Sequence, residues 1–150
     1  MNITFEPVPE DRQRLLPLLL LADVSETIVG SYIDRGALFA IRDGEADLGV
    51  LLLIHEGDAV EVKNLAVAEG CRRQGIGRLA VAFAARWARE AGATRVTVGT
   101  ANSSLDAIRF YQKAGFRRSG VRRGFFAAYP EPIWEDGIRA RDMIMFELPL

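Results

Sequence analysis

From residue 76 to residue 91 the apolar side chains return at helical spacing, through Ile76, Leu79, Ala80, Phe83, Ala84, Trp87, Ala88 and Ala91. One stripe of such a helix has to be buried, and Gly92 supplies its stop. The segments on either side, Ala59 to Val67 and Arg95 to Thr100, alternate instead with the two-residue period of strands. A strand, helix, strand unit at mid-chain excludes all-helical and all-β classes and makes the protein mixed α/β.

The remaining segments extend that frame. Asn2 to Glu6 reads as a short strand, and a helix follows from about Glu10 to Leu21 that Pro17 must kink or divide. Ser25 is placed to cap a second helix carrying Ile28, Val29, Tyr32 and Ile33, with Gly36 at its end. Ala37 to Arg42 and Asp47 to His55 precede Ala59 to Val67 as strands of an antiparallel meander, with tight turns at Asp43-Gly44 and Gly57-Asp58. A shorter helix runs from about Ser104 to Ala114, with Ser103 and Asp106 as a capping box and Gly115 just beyond. Phe116 to Phe126 and Arg139 to Leu148 are the final strands, separated by a loop rich in aromatic and acidic residues.

Size and charge narrow the functional classes. A chain of 150 residues suits one domain, taken as 1–150. Its 19 basic and 20 acidic residues give a formal charge of -1, so no global field draws it to nucleic acid or to an acidic membrane. Arg117, Arg118, Arg122 and Arg123 would be split between two strand faces, which argues further against a nucleic-acid binder. The longest apolar run, Leu15 to Ala22, is interrupted by Pro17 and falls short of the roughly 20 residues that span a bilayer. The N-terminus lacks the basic-then-apolar order of a signal peptide. Cys71 is the single cysteine, so neither an internal disulfide nor a cysteine metal cluster is expected, and a reducing cytoplasm is the expected compartment. His55 and Cys71 are assigned no role.

Two local features carry chemistry. In Val60-Glu61-Val62-Lys63-Asn64-Leu65-Ala66-Val67 the apolar positions begin on even numbers and switch to odd ones. Keeping Val60, Val62, Leu65 and Val67 on one buried face requires an extra residue, a β-bulge near Lys63 or Asn64. Alternatively Asn64 ends the regular strand. A bulge frees backbone groups that can bind an amide-containing chain lying along the strand.

The second feature is the turn Arg72-Arg73-Gln74-Gly75-Ile76-Gly77, placed between that strand and the long helix. Its glycines let backbone N–H groups approach a bulky anion, the helix tip adds partial positive charge, and Arg72 and Arg73 add full charges. A pyrophosphate fits this description. Gly75 to Ala80 also matches G-x-G-x-x-A, a dinucleotide fingerprint. That reading fails because the motif lies near mid-chain, no acidic residue ends the following strand at Gly99-Thr100, and the remaining chain is too short for a doubly wound sheet.

These residues resemble the GNAT family of acetyl-CoA-dependent N-acetyltransferases. The family pattern, Arg or Gln, two residues, Gly, one residue, then Gly or Ala, is matched from Arg72 to Gly77 after a strand ending Leu65-Ala66-Val67. A second match is Asn102-Ser103-Ser104 followed by Ala107-Ile108-Arg109-Phe110-Tyr111 and Gly115-Phe116. The resemblance implies a GNAT fold: a mixed, mostly antiparallel sheet of about seven strands, splayed at its centre and flanked by about four helices. It implies acetyl-CoA as co-substrate and no metal. Leu65, Ala66 and Val67 would meet the pantetheine arm, while Arg72, Arg73, Gln74, Gly75, Ile76 and Gly77 would hold the pyrophosphate. Asn102 would bind the arm, or Ser103 or Ser104 in its place. Tyr111 would protonate the departing thiolate, and Glu61 would serve as general base through water.

The implied reaction is direct transfer of acetyl to a primary amine, on a small amine, a polyamine or a peptide. Phe125, Phe126, Tyr129 and Trp134, with Glu131, Glu135 and Asp136 in the same loop, suit a cationic acceptor. A non-catalytic acyl-CoA sensor of the same fold is the alternative, and a homodimer is left open.

Overall fold

The computed structural model describes residues 1–150. In chain order it contains β1 (Ile3–Pro7), α1 (Leu16–Ala22), α2 (Glu26–Tyr32), β2 (Ala37–Asp43), β3 (Ala46–Glu56), β4 (Ala59–Val67) and α3 (Ile76–Glu90). These are followed by β5 (Arg95–Ala101), α4 (Leu105–Lys113), β6 (Arg117–Arg122), β7 (Trp134–Glu135), β8 (Ile138–Arg139) and β9 (Met143–Pro149). Seven strands form one sheet in the order β1-β2-β3-β4-β5-β9-β6, and β7 and β8 form a separate hairpin. Only β4 and β5 run parallel, because α3 carries the chain back across the sheet between them; every other pairing is antiparallel.

Both faces of the sheet are covered, and alternation along the strands feeds both cores. Phe39, Ile41, Leu51 and Leu53 project to the side of α3 and α4, where they join Val62, Ile76, Ala84, Val98 and Phe146. Leu38, Ala40, Val50 and Leu52 project the other way and meet Leu15, Leu19, Val29 and Ile33 of the α1 and α2 segment. Ala80, Ala84 and Ala88 are fully buried along one stripe of α3, so the helix backbone can lie close to the sheet.

The central elements follow the sequence pattern, and Ser25 caps α2 as expected, its Oγ accepting from the Ile28 N–H at 3.2 Å. Three expectations are corrected. The first helix begins as a 3-10 turn, Arg12–Leu15, and becomes α-helical only at Leu16. Pro17 thus sits in the first α-turn, where its missing N–H has no partner to lose. The strand expected over Phe116 to Phe126 stops at Arg122, because Gly124 adopts φ 69° and turns the chain into a 3-10 turn, Phe125–Ala128. The strand expected from Arg139 begins at Met143, since Ile138 and Arg139 pair instead with Trp134 and Glu135. Asp136 and Gly137 between them both have positive φ, 52° and 77°, as a two-residue hairpin of type I′ requires.

A buried arginine fastens the core under α1 and α2. Arg12 donates from Nε to the Val8 carbonyl at 3.1 Å, from Nη1 to Ile33 and Arg35 at 2.9 and 2.7 Å, and from Nη2 to Gly36 at 2.9 Å. Ile33 is the C-cap of α2, so its carbonyl lies at the negative end of the helix dipole and suits a guanidinium without a carboxylate partner. Replacing Arg12 by Met should leave these acceptors unpaired. The expected loss is about 3 kcal/mol of unfolding free energy, read as a fall in Tm of roughly 6–12 °C in calorimetry. A change under about 1 °C would show that the acceptors are resatisfied by water.

Candidate active site

The slip in apolar parity is an extra residue. Leu52 of β3 faces Asn64 and Leu53 faces Val62, so Lys63 has no opposite number. Leu65 and Val67 therefore pack on the same core as Val60 and Val62, while Asn64 and Ala66 turn to the other face. Immediately beyond this bulge the sheet divides. The parallel ladder between β4 and β5 runs from Ala59 opposite Arg95 to Val62 opposite Val98 and then stops.

Backbone alternation identifies what lines the opening. The Ala68 N–H donates to Leu48 at 2.7 Å, so Ala68 and, two residues back, Ala66 direct their polar groups to β3, whereas Leu65 and Val67 direct theirs into the gap. On the other wall the Asn102 N–H donates to Asp142 at 3.0 Å, which by the same alternation turns Gly99 and Ala101 toward the gap. The Val67 carbonyl there accepts from Arg72 Nε at 3.1 Å. Two buried side-chain atoms near the opening, Asn64 Oδ1 and Thr100 Oγ1, have no partner in the chain. An extended ligand bearing amides would find donors and acceptors on both walls.

At the wide end of the gap stands the tip of α3. No backbone N–H from Arg73 through Arg78 donates to a backbone carbonyl, and no side chain caps the helix. Gly75, the cap residue, has φ 80°, which a side chain would strain. Gly77 serves a different end from the one expected. A Cβ there would stand 3.0 Å from the Phe110 ring, so Gly77 admits α4 against the helix tip. Arg72, Arg73 and Arg78 form no ion pair. A cluster of free donors and free cations of this kind can hold a diphosphate.

On the α1 and α2 face, at the narrow end of the gap, lies a small open cleft. Glu61 and Lys63 of β4, Gly99 of β5, Arg122 of β6, Phe125 and Met143 border it. A Cβ on Gly99 would come within 2.7 Å of Met143, so the glycine makes room for the methionine there. Behind the cleft is a polar cluster with no sequence signal. Asp23 accepts from the Tyr32 hydroxyl at 2.8 Å and from the Tyr129 hydroxyl at 2.9 Å, and Asn64 Nδ2 donates to the Tyr32 oxygen at 3.0 Å and to the Leu19 carbonyl at 3.0 Å. Burial first, and then the Asp23 charge, push both phenols well above their ordinary range, so they remain donors. Lys63 Nζ lies 5.0 Å from the centre of the Tyr32 ring.

The expected site residues fall into three groups. Glu61, Leu65, Val67 and the Arg72 to Gly77 turn converge on the gap and its two ends, whereas Ala66 turns its backbone to β3. Asn102 and Ser104 have partners of their own: Asn102 Oδ1 accepts from the Arg141 and Asp142 N–H groups at 2.8 and 3.0 Å, and its Nδ2 donates to Arg139. Ser103 and Ser104 both donate to one Glu135 oxygen, at 2.9 and 2.7 Å, which also replaces the expected Ser103 capping box; the cap residue of α4 is Ser104, whose side chain makes no bond to the helix N–H groups. Glu135 is thereby directed away from any acceptor. Tyr111 is buried, its ring 4.9 Å from Phe110 and 5.3 Å from Phe116, and burial raises its phenol pKa. No three His, Cys, Asp or Glu side chains group as metal ligands, and no helix is long and apolar enough to cross a membrane.

Comparison with known proteins gives a consistent picture. The Acetyltransferase (GNAT) family model matches residues 5–116. An uncharacterized N-acetyltransferase of Bacillus subtilis (strain 168) is 38% identical over 143 residues, covering 94% of this chain and 92% of that protein. A solved Bacillus subtilis acetyltransferase in complex with CoA superposes with a TM-score of 0.90 at 37% identity, over 99% of both chains. A GNAT family acetyltransferase from Elizabethkingia anophelis with acetyl-CoA bound gives 0.89 at 36% identity, again over 99% of both. With the family model spanning most of the chain and relatives of matching length sharing more than a third of its residues, this protein belongs to the GNAT family of acetyltransferases.

Proposed function

We propose that residues 1–150 form one acetyltransferase domain that moves an acetyl group directly from acetyl-CoA to the primary amine of a small molecule. The observation that carries this reading is the continuity of the gap: free N–H groups and unpaired arginines at the α3 tip lead along exposed backbone groups of β4 and β5 to a charged cleft at the other end.

Acetyl-CoA supplies the acyl carbonyl already activated as a thioester. The α3 tip, with Arg72 and Arg73, holds the diphosphate, and the backbone groups of Leu65 and Val67 align the amide-bearing arm. The Leu65 N–H polarises the carbonyl as negative charge grows on its oxygen. An alkyl ammonium, with a pKa of about 10, must lose a proton before it can attack. Glu61, bordering the cleft, receives that proton through water. The Tyr111 hydroxyl, kept protonated by burial, returns a proton to the departing sulfur.

Two outcomes are expected. Tyr111→Phe should lower kcat by at least about tenfold with the acetyl-CoA Kd little changed, measured by free-thiol release and by calorimetry; equal turnover would remove Tyr111 from the reaction. Arg72→Gln combined with Arg73→Gln should raise the Kd for acetyl-CoA by roughly ten- to a hundredfold, as loss of charge-assisted bonds implies. An unchanged Kd would place the diphosphate elsewhere. Acetyl-CoA binding without thiol release on any amine would overturn the catalytic reading as a whole.

A further inference from the structure

We propose that the acceptor carries an oxyanion as well as its amine, and that Arg122 is the residue that recognises it. This rests on the acetyl-transfer reading of the same cleft and assigns the class of molecule that enters it.

Three charged side chains border the cleft, and none of Glu61, Lys63 and Arg122 forms an ion pair. The balance is one carboxylate against two cations. Lys63 lies over the Tyr32 ring, while the Arg122 guanidinium has no partner in the chain. Its strand position is fixed: Arg122 stands opposite Met143 in the β6–β9 ladder. The turn that follows is held by the Gly124 N–H donating to Asp142 Oδ1 at 2.9 Å. A guanidinium offers paired N–H donors in the plane that a carboxylate or phosphate accepts.

The carboxylates that would draw a purely cationic acceptor are turned elsewhere. Glu135 accepts from Ser103 and Ser104, and Asp23 accepts from two tyrosines. Glu131 and Asp136 are exposed and do not border the cleft. A diamine would therefore bring a second positive charge toward Arg122 and Lys63. An amino carboxylate would place its amine beside Glu61 and its anion beside Arg122.

The test is free-thiol release by the full chain with acetyl-CoA and a matched panel. The panel comprises glycine, β-alanine and γ-aminobutyrate, the amide of each, 2-aminoethyl phosphate and putrescine. At least one anionic member should exceed its amide, or for the phosphate should exceed putrescine, by at least about tenfold in kcat/KM. The spacing that works best reports the distance between the two subsites, and the phosphate arm separates that oxyanion from a carboxylate. Arg122→Gln should raise the KM of the preferred anionic acceptor by at least about tenfold and close the gap to its uncharged counterpart, with Arg122→Lys recovering part of it. Retained acetyl-CoA binding heat serves as the folding control. Equal rates for acids and amides, putrescine as the best acceptor, or an Arg122→Gln loss that strikes all acceptors alike would overturn the proposal. No thiol release from any amine would instead defeat the acetyl-transfer reading, and this proposal with it.

Discussion

One unpaired residue in β4 sets the geometry on which everything else depends. Inserting Lys63 without a counterpart in β3 rotates the rest of the strand by one side-chain position and bends it, so that β4 can no longer follow β5. A parallel ladder that stops after four residue pairs leaves both walls with backbone groups that neither strand satisfies. In a sheet interior such groups are costly unless something else meets them. Water or an amide-bearing ligand can answer that need, so the break leaves the sheet able to receive an extended chain.

The bend has to be held, and polar contacts hold it. Asn64, the residue after the bulge, reaches across to the Leu19 carbonyl and the Tyr32 hydroxyl, anchoring β4 to α1 and α2. Asp23 then joins Tyr32 to Tyr129, so the loop after β6 is tied to the same helices. On the other side of the gap Asn102 and the two serines fix the β7–β8 hairpin and the approach to β9. The gap and its cleft are thus framed by hydrogen-bonded loops more than by apolar packing.

What the sequence made legible was what depends on neighbours along the chain. The parity slip, the helical stripe of α3, the glycine turn and the short meander turns are all local signals, and the fold follows from them. The Asp136-Gly137 pair was a local signal too, but the two-residue strands beside it were too short to register against the aromatic loop. Contacts between distant residues left no trace. Tyr129 meets Asp23 across 106 positions, and Glu135 meets Ser104 across 31. The partners that Glu135, Asn102 and Ser104 take in the fold therefore could not be read from the sequence. The glycines illustrate the same limit: Gly75 is explained by its own backbone angle, whereas Gly77 is explained by Phe110 on another helix.

The outermost strand β6 bears Arg117, Arg118 and Arg122, with Arg123 just past its end, and none of them is neutralised by an ion pair. An open sheet margin normally invites a stray chain to add itself, yet this one is crowded with like charge. Two copies meeting there would bring guanidinium against guanidinium, and runaway stacking of sheets is discouraged at the margin where it would otherwise start.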